Sequence, residues 1–237
     1  RVAAIAAERG LSMPSERTFR RRLKAEIPRS LLILKRGGEE ALRRSIPANR
    51  RTVDQLHAME LVNVDGHKFD IFVKDRDTGK VIRPVMVAIQ DVRSSKIVAY
   101  RIGETESAAL VRLAFADLFK NVGIPKEALL DNGRGFASKW ITGANANRYR
   151  FKVKPGDPTG LLTGLGIKIR WALPYRGQSK PIERAFRDLC DRISRAPEAH
   201  GAYTGPNPMA KPANYGERVM EWDDFAALVT KGIAQHN

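Results

Sequence analysis

Apolar and polar positions change rhythm three times along the chain. In the first stretch the spacing is helical. In SMPSERTFRRRLKAEIP, Phe19, Leu23 and Ile27 recur every four residues, which predicts a short amphipathic helix with those three facing inward. Ser12 or Ser15 is its N-cap and Pro28 its end. Arg17, Arg20, Arg21 and Lys24 then project outward. Ahead of it VAAIAAERG reads as a small-residue helix stopped at Gly10. Helix, glycine turn and basic helix outline a helix-turn-helix, an outline that many three-helix bundles share. LLILKRGGEEALRRSIP adds two helical stretches broken at Gly37-Gly38, and IPANRRTVD reads as a linker.

From about Met59 the texture becomes that of strands. LVNVDGHKFDIFVKDRD, VIRPVMVAIQDV and KIVAYRIG are separated by turn-prone residues, Asp75 to Gly79 and Arg93 to Ser95. Such short connections suit antiparallel neighbours. Apolar parity in the first strand moves from even positions (Val62, Val64) to odd ones (Phe69, Ile71, Val73), and a bulge near Gly66 is the expected cause. The helical period returns with Leu110, Val111, Ala114, Phe115, Leu118 and Phe119, capped by Thr105 or Ser107. A short apolar run, ALLDNG, follows. After an irregular region over 141–160 come a strand, IKIRWALP, and a helix, KPIERAFRDLCDRIS. Three antiparallel strands, then helix, strand, strand and helix, make a mixed α/β layer.

Charge changes this picture. The 237 residues carry 42 Lys/Arg against 26 Asp/Glu, a net of +16, and such a field draws polyanions, nucleic acid above all. Residues 1–50 hold 13 basic against 5 acidic side chains, so a fifth of the chain holds half the surplus. The competing reading is a solubilising surface. No apolar run is long enough to span a bilayer, and no basic amphipathic membrane signature is present. No secretion signal opens the chain. A start at Arg1 is expected of a piece of a longer protein. The single cysteine, Cys190, excludes an intrachain disulfide and fits a reducing compartment.

Three carboxylates stand out by position. Asp65 interrupts an otherwise apolar strand, and a carboxylate near a core needs a partner. Asp131 closes a buried strand and opens DNGRGF, where ligands of α/β sheets tend to bind, although Asp-Asn-Gly is also ordinary turn chemistry. Glu183 lies in the first turn of its helix, where negative charge suits the helix dipole. Taken singly, each has a structural explanation. The four histidines and one cysteine lack HExxH or CxxC spacing, so zinc is not expected. His67 reads as a polar strand position near Asp65. GLLTGLG lacks the GK[ST] of a P-loop.

Together VNVDGH, LLDNGRGF and KPIERAF resemble the three acidic motifs of the DDE transposases and retroviral integrases. The nearer resemblance is to the bacteriophage Mu transposases, carried also by SERTFRRRL, PANRRTVD, NRYRFKVK, GDPTGLL and GAYTGPNPMAKPANYGERV. Asp131 and Glu183 stand 52 positions apart, longer than in integrases, with an insertion at about 140–165 that the Mu-like members share. The resemblance implies a ribonuclease-H-like mixed five-stranded sheet flanked by helices over 51–237. A small all-α, helix-turn-helix-like DNA-binding subdomain over 1–50 precedes it. It also implies that Asp65, Asp131 and Glu183 converge on Mg²⁺ or Mn²⁺, two ions with DNA bound. Carboxylates packed together repel one another, and hard divalent cations relieve that conflict.

The implied activity is that of a DNA transposase core, which nicks transposon ends and joins the 3′-OH to target DNA. A DNA-binding prophage remnant without catalysis and a metal-dependent nuclease are the alternatives. Arg17, Arg20, Arg21 and Lys24 on the first basic helix are the expected DNA contacts there. Arg134, Arg148, Arg150, Lys152, Arg176 and Lys180, which flank the acidic motifs, are expected to hold phosphates. The resemblance further implies a tetramer on paired DNA ends, a monomer for the isolated piece, a phage-encoded regulatory ATPase as partner, and a place in the bacterial cytoplasm.

Overall fold

The computed structural model describes residues 2–46, 53–145, 156, 158–172 and 181–237. They belong to two compact units, Arg1–Arg50 and Arg51–Asn237. The first unit holds α1 (Val2–Glu8), α2 (Glu16–Glu26) and α3 (Arg29–Ser45). Gly10, at φ +63°, ends the turn after α1. Ser15 caps α2, its hydroxyl accepting from the Thr18 N–H at 3.3 Å. Ile27 is extended ahead of Pro28, which restricts the residue before it. Gly38 breaks α3 with φ 77° and ψ −176°, a conformation that suits glycine and matches the expected interruption.

The inward stripe of α2 is a correction. Phe19 is 39% exposed, Leu23 and Ile27 are only partly covered, and no residue of α2 or α3 is buried. Amphipathic spacing needs an apolar surface to dock on, and a fifty-residue unit supplies little of it.

The second unit is built on a sheet. In chain order it contains β1 (Leu61–Lys68), β2 (Val73–Lys74), β3 (Val81–Ile82), β4 (Val85–Asp91), β5 (Ile97–Gly103), α4 (Ala108–Asn121) and β6 (Glu127–Leu130). Then follow α5 (Lys139–Thr142), α6 (Leu161–Gly164), β7 (Lys168–Trp171), α7 (Pro181–Ser194), β8 (Met220–Glu221) and α8 (Trp222–His236). Five strands pair in the order β5-β4-β1-β6-β7. The β1–β4 and β4–β5 pairs are antiparallel, while β1–β6 and β6–β7 are parallel. This is the mixed sheet of a ribonuclease-H-like fold. Ser107, rather than Thr105, caps α4 through the Leu110 N–H at 3.1 Å.

Two cores sandwich the sheet. On one face Val62, Val64, Val87 and Ile89 pack with Val111, Phe115 and Leu118 of α4. On the other Met86 and Ala88 pack with Ile182, Phe186 and Leu189 of α7 and with Phe225 and Val229 of α8. The helix α8 is absent from the expected elements, although Phe225, Leu228, Val229 and Ile233 carry a helical period. Also unexpected is the small sheet β3-β2-β8, which splits the long first strand.

That split removes the bulge expected at Gly66. The β1–β4 register runs unbroken from Val62↔Asp91 to Lys68↔Val85; the irregularity falls instead at Ile89/Gln90, opposite β5. Odd positions face α7 and α8 throughout: Phe69, Ile71 and Val73 join that core. Asn63, Asp65 and His67 occupy the same side by strand alternation. The change of parity is therefore a polar patch within one continuous face.

Candidate active site

The polar patch lies toward the carboxyl end of β1. Asp65 is 9% exposed, and its Oδ1 accepts the Gly66 N–H at 3.0 Å. In the parallel ladder Val64 is paired with Leu130. Asp65, within β1, and Asp131, just past the end of β6, are each one residue further on and therefore stand at the same level, on strands that run about 4.8 Å apart. The loop after Asp131 is tied to β7: Asn132 Nδ2 donates to the Ala172 carbonyl at 2.7 Å, and the Ala172 N–H donates to Leu130 O at 2.9 Å.

Glu183 arrives from a different layer. It sits, exposed, in the first turn of α7. That turn is anchored to β1, since the Ile182 N–H donates to Asn63 Oδ1 at 3.2 Å. Asn63 is fully buried, and its Nδ2 donates to Leu129 O at 3.2 Å. One turn along α7, the Phe186 ring lies 5.4 Å from that of His67. Burial holds the His67 pKa below its ordinary value, the Asp70 carboxylate opposes that, and the Arg83 cation adds to it.

The structure thus unites the three acid-bearing elements. It does not gather the three carboxylates into a closed set: among the described residues no group of three His, Cys, Asp or Glu side chains is arranged to hold a metal ion. The chemistry of the donors still fits a hard divalent cation. All are carboxylate oxygens, Asp65 is a buried charge within the polar patch of β1, and Asp65 and Asp131 each follow one member of the Val64–Leu130 pair. Cys190 is buried in the α7 core, and burial pushes its thiol pKa up, the nearby Asp70 charge adding to the shift. A nucleophilic thiol role has no support.

One carboxylate at this edge escaped the sequence reading. Glu106, just before α4 and exposed, reaches over both acid-bearing segments. A Cβ on Gly66 would lie 2.0 Å from Glu106 Oε2. One on Gly133 would lie 3.0 Å from Glu106 Oε1 and 3.7 Å from Asp131 Oδ2. The glycines beside Asp65 and Asp131 therefore make room for a side chain, not only for a turn. Asn63 escaped too; the one signal was an amide two positions before an isolated aspartate in a strand.

Of the expected DNA contacts, Arg17, Arg20, Arg21 and Lys24 are exposed on α2, and Arg20 is 2.5 Å from Glu16 one turn earlier. Arg134 is exposed on the loop that follows Asp131, and Trp140 of α5 is 64% exposed. Arg148, Arg150, Lys152, Arg176 and Lys180 lie outside the described residues, as do 146–155 and 157 of the insertion expected at about 140–165 and 47–52 of the expected linker.

Comparison with known proteins gives two family matches that tile the chain. Residues 53–237 match the family described as Bacteriophage Mu transposase, and residues 1–52 match Mu DNA binding, I gamma subdomain. The chain is 35% identical over 238 residues to the Mu-like prophage FluMu transposase A of Haemophilus influenzae (strain ATCC 51907 / DSM 11121 / KW20 / Rd). That match covers 96% of this chain and 34% of the relative, so the chain spans about a third of the relative's length. Among solved structures, the HTLV-2 integrase catalytic core domain in complex with magnesium (trimeric form) is similar at a TM-score of 0.44 and 13% identity, covering 73% of this chain and 82% of that one. The simian T-cell lymphotropic virus intasome in complex with PP2A regulatory subunit B56 gamma is similar at 0.45 and 13%, covering 89% and 66%.

Proposed function

The chain belongs to the bacteriophage Mu transposase family, and from that premise we propose that residues 51–237 are a DNA transposase core that nicks transposon ends and joins the freed 3′-OH to target DNA. The observation that carries the reading is the pairing of Val64 with Leu130. It sets Asp65 and Asp131 side by side, while α7 brings Glu183 to the same strand through Asn63. Asp65, Asp131 and Glu183 are the residues that would hold Mg²⁺ or Mn²⁺. When bound, such cations lower the pKa of an attacking water or hydroxyl and stabilise the leaving oxygen.

The chain's own residues do the rest. The backbone N–H of Gly66 donates to Asp65 Oδ1 and orients that carboxylate. Asn132 braces the Asp131 loop on β7. Arg134, exposed three residues after Asp131, supplies a positive charge on that loop suited to a DNA phosphate. Residues 1–50 add a basic surface for end DNA. Two ions per site, a tetramer on paired ends, a monomer without DNA, a regulatory ATPase partner and a bacterial cytoplasmic setting are parts of the same proposal.

The test is an end-joining assay with paired end DNA, a target duplex and Mg²⁺ or Mn²⁺. Loss of a residue that merely supports a metal ligand costs about 10–100-fold, so Asp65→Asn should lower joining by more than roughly a hundredfold while leaving end-DNA affinity in place. Equal joining by wild type and Asp65→Asn would refute the assignment. Cleavage without joining would instead favour the nuclease, and DNA binding with neither would favour the non-catalytic remnant.

A further inference from the structure

The side-chain hydrogen bonds of Asn63, a residue of β1, reach both of the other acid-bearing elements, β6 and α7. Asn63 lies two residues before Asp65 and is 0% exposed. Its amide nitrogen donates to Leu129 O on β6, two residues before Asp131. Its amide oxygen accepts from the N–H of Ile182 on α7, the residue before Glu183. Both bonds are 3.2 Å long. The partners fix the amide orientation, because a carbonyl needs a donor and an N–H needs an acceptor.

The bond to α7 is unusual in its source. The first N–H groups of a helix have no intrahelical acceptor and are normally satisfied by a residue just ahead of the helix. Pro181 has no N–H to satisfy. Ile182 is 0% exposed, and its N–H finds an acceptor 119 positions away in sequence. A buried donor of this kind is costly to leave unmade. The α7 entry is therefore fixed to β1 by a polar bond with one angular solution, where apolar packing alone would tolerate sliding.

We propose that Asn63 is a positioning residue of the site, holding the first turn of α7, and with it Glu183, in register with Asp65 and Asp131. The proposal rests on the reading of those three carboxylates as the reactive group. It assigns Asn63 no contact with DNA or metal. Leucine at 63 preserves volume and removes both bonds. Aspartate keeps the acceptor for Ile182 and sets an oxygen against the Leu129 carbonyl.

The experiment is amide NMR on the whole chain, deuterated, with hydrogen exchange and Mn²⁺ titration as separate readouts. In Asn63→Leu, exchange at Ile182 and Glu183 should speed up by roughly tenfold, the factor that one net hydrogen bond supports, with the α4 amides Val111 to Leu118 unchanged. Mn²⁺ should broaden the amides of Asp65, Asp131 and Glu183 in the wild type. In Asn63→Leu the broadening should persist at the two aspartates and fade at Glu183. Asn63→Asp should keep Ile182 protected and Glu183 broadened, and it decides the matter if the leucine variant does not fold. Unchanged exchange at Ile182, uniform acceleration across the sheet unit, or Glu183 broadening that ignores residue 63 or never occurs would each overturn the proposal. Asp65→Asn should abolish the broadening and leave exchange alone. If it broadens like the wild type, the carboxylate reading fails while the Asn63 clamp is still judged by exchange.

Discussion

The two units of this chain hold their helices by different means. In residues 1–50 the support comes from sequence neighbours. Ser15 caps α2 from one position ahead, and Glu16–Arg20, Glu39–Arg43 and Glu40–Arg44 pair one turn apart. In residues 51–237 the support comes from across the fold. Asn63 bonds Ile182, and the Asn237 side chain accepts from Ile97 N at 2.8 Å and donates to Ile97 O at 2.9 Å. Charge can be displayed on helices that bury almost nothing. A constellation of carboxylates needs distant segments locked together by burial and paired polar groups. The contrast follows the proposed division of labour between holding DNA and reacting with it.

The sharpest way to break the contrast is a pair of phenylalanines. Phe115 is 0% exposed in the α4 core, whereas Phe19 on α2 is 39% exposed. Deleting a buried aromatic ring costs about 3–5 kcal/mol, so Phe115→Ala should lower the unfolding free energy of the sheet unit by that amount. Phe19→Ala should cost less than about 1 kcal/mol, as exposed positions do. Denaturant melts followed by far-UV circular dichroism and by tryptophan fluorescence read the two. Equal losses would mean that the N-terminal helices share a core after all.

A smaller effect separates the two serine caps. Ser15 accepts from Thr18 N and Ser107 from Leu110 N, and losing such a cap costs about 1 kcal/mol. The sizes should match and the reach should differ. Ser15→Ala should speed hydrogen exchange in α2 alone. Ser107→Ala should shift the whole transition of the sheet unit, because α4 is part of its core. Exchange confined to the first turn of α4 in Ser107→Ala would count against the cooperative unit.

What the sequence revealed follows the same line. Local signals were legible: the α2 cap, the Gly38 break, the α4 stripe, and Asp131 at the end of an apolar run. The acidic positions became legible as a set only through family resemblance, since each has an ordinary structural explanation. Features that depend on long-range contact were not legible. Amphipathicity in α2 looked like burial, because the period of a stripe does not say whether anything covers it. The parity change in β1 looked like a bulge, because no local pattern reveals that Asn63, Asp65 and His67 continue the face occupied by Phe69. Glu106, between the two candidate caps of α4, carries no sequence signal of its own, and only coordinates show its carboxylate over Gly66 and Gly133.

The smallest effect on stability belongs to the arginines of α2, and it should come with a distinct effect on binding. Arg17, Arg20 and Arg21 are exposed, so replacing each with alanine should change unfolding free energy by no more than about 0.5 kcal/mol. If each holds a phosphate of end DNA, its loss should reduce the slope of log affinity against log salt by about 0.9. Arg20 is the discriminating case. It already holds the Glu16 carboxylate at 2.5 Å, and a guanidinium shared with an acid releases less counterion when DNA arrives. Arg20→Ala should therefore flatten the slope least of the three, and Glu16→Ala should steepen it. Fluorescence anisotropy with labelled end DNA over a salt series measures both. Identical slopes in all four variants and the wild type would remove α2 from the DNA interface and leave its charge as a solubilising surface.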